Sequence, residues 1–503
     1  MALLGASVLL SRGLGLVREM VLAAELGAGA EVDAYRAAFQ VPDILFHFLS
    51  GGAFAVAFVP FYTRIRETRG AGAAERLLAV AFGTMAVVSI LATVGLWIWA
   101  EELVALQFPR FAPETQALTV RLTRIVLPAQ IFFVTGGVLR AALMANDRFA
   151  PQALAPVVYN LGIIAGGVWG ARALGAEGFA WGALAGAVVG PFLLPLLDLR
   201  RAGLRLGFRV APFDRDFLAY LWRAAPLILG MSLITVDEWY DRWFGGLLGE
   251  GAVAQIGYAR QLMLVPVAVV GQAVATAALP ALSQLASEGR RAELDRTLLS
   301  ILRTSLVLAV VLAAGTLALA DPVVRLLFER GRFTAEASAG VASILVVFCF
   351  GVPGWVMQQV AGRGFYARED MWRPMLLSTA IALLAIPLYL AMGDRFGAQG
   401  IAGAGALAMS VSAVFLLLFL RAVHGGPRLT PLLGALGRGL VVALSAGLAA
   451  AWAGSLVPAP WAGCLLGGAV FAIVAIPGLW VLGDDATREV VGGAVGRLTG
   501  RRG

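Results

Sequence analysis

Lysine is absent from this sequence, and in 503 residues there are only two cysteines and two histidines. Cys349 and Cys464 each fall inside an apolar stretch with no metal-ligand spacing around them, so they read as small buried hydrophobes, and no disulfide framework is expected. With His47 and His424 the only histidines, neither a metal centre nor a cofactor is expected. Charge is scarce as well: Asp, Glu and Arg together make up 14% of the chain, too little to solubilise a water-exposed surface of this size. No basic region precedes the first apolar segment, which Arg12, Arg18 and Glu19 interrupt, so it is not expected to be a cleaved signal peptide and should stay in the mature protein.

What is present is hydrophobic residue, at 60% of the total. A membrane span needs roughly 20 mainly apolar residues, and about fourteen such segments can be placed. They run near 2 to 26, 34 to 63, 76 to 100, 119 to 145, 153 to 173, 178 to 199, 217 to 249, 252 to 284, 297 to 320, 336 to 367, 374 to 392, 398 to 421, 433 to 454 and 461 to 483. The expected fold is an all-α polytopic membrane protein. Arginine gathers in alternate loops: Arg64, Arg66, Arg69 and Arg76; Arg148; Arg200, Arg201, Arg205, Arg209 and Arg215; Arg290, Arg291 and Arg296; Arg421 and Arg428. With an even span count, this bias predicts that both termini are cytoplasmic, and Arg488, Arg497, Arg501 and Arg502 in the tail agree. One outer loop, 321 to 336, carries Arg325, Arg330 and Arg332, offset by Asp321, Glu329 and Glu336. Its apolar spacing predicts a short helix lying on the membrane surface. Topology and anionic lipid account for the high pI, so nucleic acid is not expected as a partner.

Shifted against itself by about 220 residues, the chain lines up its first six spans with the next six. Leu26-Gly27-Ala28-Gly29 meets Leu248-Gly249-Glu250-Gly251, Tyr35 before Pro42 meets Tyr258 before Pro266, and Pro60, Phe108 and Pro128 meet Pro280, Phe328 and Pro353. At a shift of 223, Arg140, Asp147 and Pro151 meet Arg363, Asp370 and Pro374. An even-span repeat predicts two lobes of one orientation, related by an axis along the membrane normal. The domains are accordingly 1–215, 216–425 and an added 426–503.

Ionisable groups at membrane depth cost roughly 3 kcal/mol and usually face protein or a wet cavity. Here they include Arg12, Arg18 and Glu19; Arg36, Asp43 and His47; Arg121, Arg124 and Arg140; and Asp237, Glu238, Asp241, Arg242, Arg260 with Gln261, and Arg363. Arg12 and Arg18, about 9 Å apart along a helix, can line one side of a cavity, and Gly13 and Gly15 between them permit a bend. Arginine forks suit a phosphate and stay charged at any relevant pH, so several together favour a polyanion such as a pyrophosphate. Arg121, Arg124 and Arg140 read better as structural pairs or snorkelling side chains. The group Asp237, Glu238, Asp241 and Arg242 reads equally as an ion-pair network and as a cation site. Pro42, Pro128, Pro226, Pro266, Pro353 and Pro387 should kink or break their helices.

Residues 11 to 64, SRGLGLVREMVLAAELGAGAEVDAYRAAFQVPDILFHFLSGGAFAVAFVPFYTR, resemble the start of the lipid II flippase family MurJ (MviN), within the multidrug/oligosaccharidyl-lipid/polysaccharide exporter superfamily. NDRFAPQALAPVVYN from Asn146, YARQLMLVP from Tyr258, LFERGRFTA from Leu327 and GFYAREDMWRP from Gly364 agree, so the similarity spans essentially the whole chain. The resemblance implies fourteen spans, two six-span lobes around a cationic cavity, and alternating access that carries a pyrophosphate-linked head group outward across the bacterial inner membrane. It also implies a lipid-tail groove at the last two spans and a chain acting as a monomer, with lipid II and membrane lipids as partners. It places Arg12, Arg18 and Asp33 on functional positions, with Glu19 where an Asp is usual, and adds His47, Arg260 and Gln261 to the substrate-facing set.

The sequence also departs from that pattern. Leu45-Phe46-His47 and Ser50-Gly51-Gly52-Ala53-Phe54 stand where the family has Leu-Arg-Arg and Phe-Ala-Glu-Gly-Ala-Phe, and Arg260-Gln261 replaces an Asp-Arg pair, displacing the cation about 100° around the helix. A less cationic cavity follows, with His47 restoring charge only at low pH. Residues 374–392 hold no Asp, Glu or Asn, so no sodium site is expected there. Asp43, Asp237, Glu238, Asp241 and Arg242 are candidates for ion pairs or gating. Three readings compete: a lipid II flippase or a flippase of another undecaprenyl-linked glycan; a drug antiporter of the same superfamily, supported by Asp237, Glu238 and Asp241; and a membrane-embedded enzyme, for which the short loops supply no paired carboxylates.

Overall fold

In the computed structural model, residues 2–50, 53–229 and 233–498 are described, and among them the ordered elements are helices, with no strand. Among the described residues, ten helices are long and apolar enough to cross a membrane. The difference from about fourteen predicted segments has local causes. The first helix, Ala2–Leu26, is long enough but carries Arg12, Arg18 and Glu19. The predicted 34–63 span is divided into Ala30–Ala38, Gln40–Ser50 and Ala53–Arg69, and 217–249 into Arg215–Leu229 and Leu233–Gly245. The predicted 374–392 and 398–421 spans lie in one helical stretch, Trp372–His424, broken at Gly397. The φ of 59° and ψ of −138° there are open to glycine and strained for any residue with a Cβ. About 25 residues stand on either side, enough for a crossing each.

The chain folds as two compact units. The first holds residues 1–230 together with 249–254 and 330–334; the second holds 231–248, 255–329 and 335–503. Helix Arg215–Leu229 packs in the first unit, beyond the expected boundary at 215. Its Phe217 and Tyr220 enter a core with Phe58, Tyr62, Leu77, Leu78, Val138 and Leu139, and Arg69 and Arg76 hold its start through Asp216 (2.5 Å) and Asp214 (3.0 Å).

Elsewhere in the first unit, small residues do what large ones do in that core. Gly162, Gly166 and Gly170 on helix Ala150–Leu174 face Gly178, Gly182 and Gly186 on the following helix, Ala176–Ala187. A Cβ at Gly166 would come within 2.6 Å of Gly182 Cα, and one at Gly162 within 2.6 Å of Gly186 Cα. Paired small-xxx-small faces let two backbones touch, which replaces the hydrophobic drive that lipid does not provide.

In the second unit, Ala335–Tyr366 packs along Trp372–His424, and Arg291–Ala318 along Thr430–Ser455, which in turn packs on Pro460–Leu482. Leu465, Ile473 and Val481 on the last of these are largely exposed, as suits a lipid-facing helix.

The repeat reappears in the elements. Ala71–Ile98 and Arg291–Ala318 begin and end 220 residues apart, and each is followed by a short helix, Ala100–Gln107 and Ala320–Phe328. The second of these is the helix expected in the 321–336 loop. Asp147 and Glu369, the two non-glycine residues with positive φ among the described residues, sit 222 apart, and the helices that follow start at Ala150 and Trp372. The backbone equivalence here is therefore 222, one less than the shift that superimposes the identical letters. Asp370 matches Arg148, not Asp147.

Candidate functional site

Two clusters of charge lie inside the helical units. In the first, Glu19 is 3% exposed and receives a guanidinium on each oxygen: Arg18 at 2.8 Å on Oε1 and Arg36 at 2.5 Å on Oε2. Ala2–Leu26 carries Arg18 and Glu19 side by side, and the polar helix Ala30–Ala38 swings Arg36 back onto them. Arg18 also donates from Nη1 to Asn160 Oδ1 at 3.2 Å, and Asn160 is itself anchored to the Pro156 carbonyl at 3.0 Å. Arg18 thus uses three of its five N–H donors and is one-quarter exposed, so it can still present a fork to an incoming oxyanion. Arg12 is exposed on the same helix, while Asp43 and His47 are half-buried on Gln40–Ser50.

Asp33 has a different position. It is fully buried and accepts the backbone N–H of Gly251 at 2.5 Å and of Ala254 at 2.7 Å. Gly251 immediately precedes helix Ala252–Val267 and Ala254 lies in its first turn, so Asp33 caps a helix start and opposes its dipole. Glu31 plays a related part, accepting Ala176 N–H at 2.8 Å and pairing with Arg332 at 3.2 Å.

The second cluster sits within the second unit. Arg260, 7% exposed, donates from Nη2 to Asp237 Oδ2 at 2.8 Å and from Nε to Asp241 Oδ2. Its guanidinium carbon lies 5.2 Å from the Phe348 ring and 5.9 Å from Trp355, and Tyr389 Oη donates to Asp237 Oδ1 at 2.5 Å. Glu238 and Arg242 pair with one another at 2.5 Å. Arg260, expected in the substrate-facing set, has its charge met by two carboxylates and its guanidinium beside two aromatic rings. Gln261, one position on, is half-buried.

Arg121, Arg124 and Arg140 all have protein partners: Glu177 at 3.6 Å, the Trp97 carbonyl and ring, and the Pro191 carbonyl at 2.8 Å with Gln152. Pro191 lies in the π-helical turn Val188–Leu193, whose wide register frees that carbonyl. Gly51 and Gly52 of the altered second-span motif lie outside the described residues. Among the described residues no group of His, Cys, Asp or Glu is arranged to hold a metal.

Asn160 and Tyr389 help build these clusters without having been expected there, and Arg36 was expected only as one of the charges at membrane depth. Asn160 is one of only two asparagines in the chain and lies mid-span, a signal that was available. Tyr389 offered none, because its role depends on a contact 152 residues away.

Long apolar helices with buried arginine–carboxylate clusters define a multi-pass membrane protein, and its fold is that of solved transporters. The fold covers 96% of this chain and all of a structure titled "Lipid II flippase MurJ, inward closed conformation", with a TM-score of 0.80 at 21% identity. An inward-facing multidrug resistance MATE family transporter of the MOP superfamily matches over 82% of this chain and 94% of its own, with a TM-score of 0.69 at 15% identity.

The family model "Lipid II flippase MurJ" matches residues 22–468, and the chain belongs to that family. A Rhizobium meliloti (strain 1021) relative named "Probable lipid II flippase MurJ" is 31% identical over 433 residues, covering 84% of this chain and 80% of the relative. A Burkholderia cenocepacia relative named "Lipid II flippase MurJ" is 29% identical over 388 residues, covering 75% and 74%.

Proposed function

We propose that this chain moves lipid II, the undecaprenyl-linked peptidoglycan precursor, from the cytoplasmic to the outer leaflet of the bacterial inner membrane by alternating access, supplying cell-wall synthesis. It makes and breaks no bond, works as a monomer, crosses the membrane fourteen times and keeps both termini in the cytoplasm. The observation that carries this reading is Arg18, in a member of this family, held by Glu19 and Asn160 with two N–H donors to spare. Arg12 and Arg18 contact the pyrophosphate, Glu19 and Arg36 hold Arg18 in place, and His47 and Gln261 make weaker polar contacts. Asp33 supports the site as a helix cap, and Arg260 serves the interior of its own unit.

A second reading, transport of another undecaprenyl-linked glycan, is favoured by the missing arginines at positions 46 and 47, which leave fewer contacts to a particular head group. A small-molecule antiporter is less favoured, because Arg260 already occupies the acidic group it would need.

Native mass spectrometry of the purified chain with lipid II and with undecaprenyl phosphate tests this. Lipid II is expected to bind at least about tenfold more tightly, and Arg18→Ala to lose that preference, a change of about 1.4 kcal/mol. Equal binding of both lipids, unchanged by Arg18→Ala, would remove the lipid II assignment.

A further inference from the structure

The acidic cluster of the second unit does not balance. Asp237 and Asp241, 0% and 3% exposed, share a single guanidinium, that of Arg260. Glu238 and Arg242, on the same helix as the two aspartates, pair with one another. With both aspartates ionised, the cluster would hold one uncompensated negative charge in an apolar interior, which costs several kcal/mol.

The hydrogen bonds say where the imbalance falls. Asp237 uses both oxygens, accepting from Tyr389 and from Arg260. Asp241 accepts from Arg260 Nε on Oδ2, but its Oδ1 is buried with no partner. A water molecule there could offer a hydrogen bond but would not remove the charge; a proton would do so.

We propose that Asp241 is a proton-binding site, carrying a proton on Oδ1 that neutralises the Asp237–Asp241–Arg260 cluster. The groups facing it are Asp237, Glu238 and Arg242 on its own helix, Arg260 on Ala252–Val267, and Tyr389 on Trp372–His424. Ala335–Tyr366 contributes the rings of Phe348 and Trp355, which do not ionise. Tyr389 is committed to Asp237, so it cannot replace the proton. The site stands whichever lipid is carried, and its test contains no substrate.

Infrared difference spectra of the purified full-length chain, taken in H2O and D2O across neutral pH, would detect a protonated carboxyl C=O band. The band is expected in the wild type, absent in Asp241→Asn and displaced in Asp241→Glu. Asp237→Asn is expected to abolish it too, because one carboxylate then faces one guanidinium and the proton has no reason to stay. No protonated carboxyl band in the wild type would overturn the proposal. So would a band that persists in Asp241→Asn, or a band lost on adding sodium chloride at constant pH, which would make the occupant a metal cation. If Asp241→Asn does not fold, the wild-type titration and the Asp237→Asn spectrum decide.

Discussion

Arg18 and Arg36 hold opposite oxygens of one buried carboxylate, and the arithmetic of burial makes Glu19 the most sensitive position in the first unit. Removing one partner of a buried pair strands the other, at a cost of about 3–5 kcal/mol. Glu19→Ala is therefore expected to lower the melting temperature of the purified protein sharply, whereas Arg18→Ala, at the exposed end of the network, should fold and lose transport. Equal melting of wild type and Glu19→Ala in a detergent thermal-shift assay would contradict the network. Asp370 supplies a pH-dependent contact in the turn at 367–371. Partial burial pushes its carboxyl up, but the His424 ring at 2.8 Å and the Arg373 N–H and guanidinium outweigh that and hold it below the usual carboxylate range. A lowered folded pKa gives stability that is fully present above the unfolded value of about 3.9 and is lost as pH falls through the folded one. The stability gap between wild type and Asp370→Asn should accordingly be widest near neutral pH and close progressively as pH falls below about 4, as read from thermal melts.

Among the elements, the tightest dependence on sequence lies where helices Ala150–Leu174 and Ala176–Ala187 cross. Gly182→Val would push a branched side chain into Gly162 O and Gly166 Cα, both under 3 Å from the new Cβ, so the helices must part. Overpacking of this kind costs typically about 1–3 kcal/mol. Reduced yield of folded protein on size-exclusion chromatography is expected, while Gly468→Ala, with nothing within 4 Å, should behave as wild type. The sequence did not single out this glycine seam, because in a chain with 61 glycines a four-residue spacing does not announce which ones touch. The apolar runs were legible because lipid demands them. Their breaks at residues 39, 127–128 and 397 were only half so: prolines at 42 and 128 pointed to two of them, while Gly397 is one small residue in a long hydrophobic run. In the charged sites, residue type exposed the candidates but not their partners. The sequence marks Asp33 as a candidate but not as a helix cap, since the N–H groups it serves lie 218 and 221 residues away.

At the scale of the whole molecule, the chain belongs to the lipid II flippase family, shares its fold with solved transporters, and leaves two N–H donors of Arg18 unspent. An inside-negative potential adds about 2.3 kcal/mol per charge per 100 mV, enough to assist outward movement of an anionic head group. The central claim is tested most directly in cells depleted of their own lipid II flippase. With this chain expressed, lipid II exposed at the outer face should return to the undepleted level, and Arg18→Ala, present at equal abundance in the membrane, should leave it at the depleted level. Normal membrane insertion of the wild-type chain without any return of exposed lipid II would contradict the account.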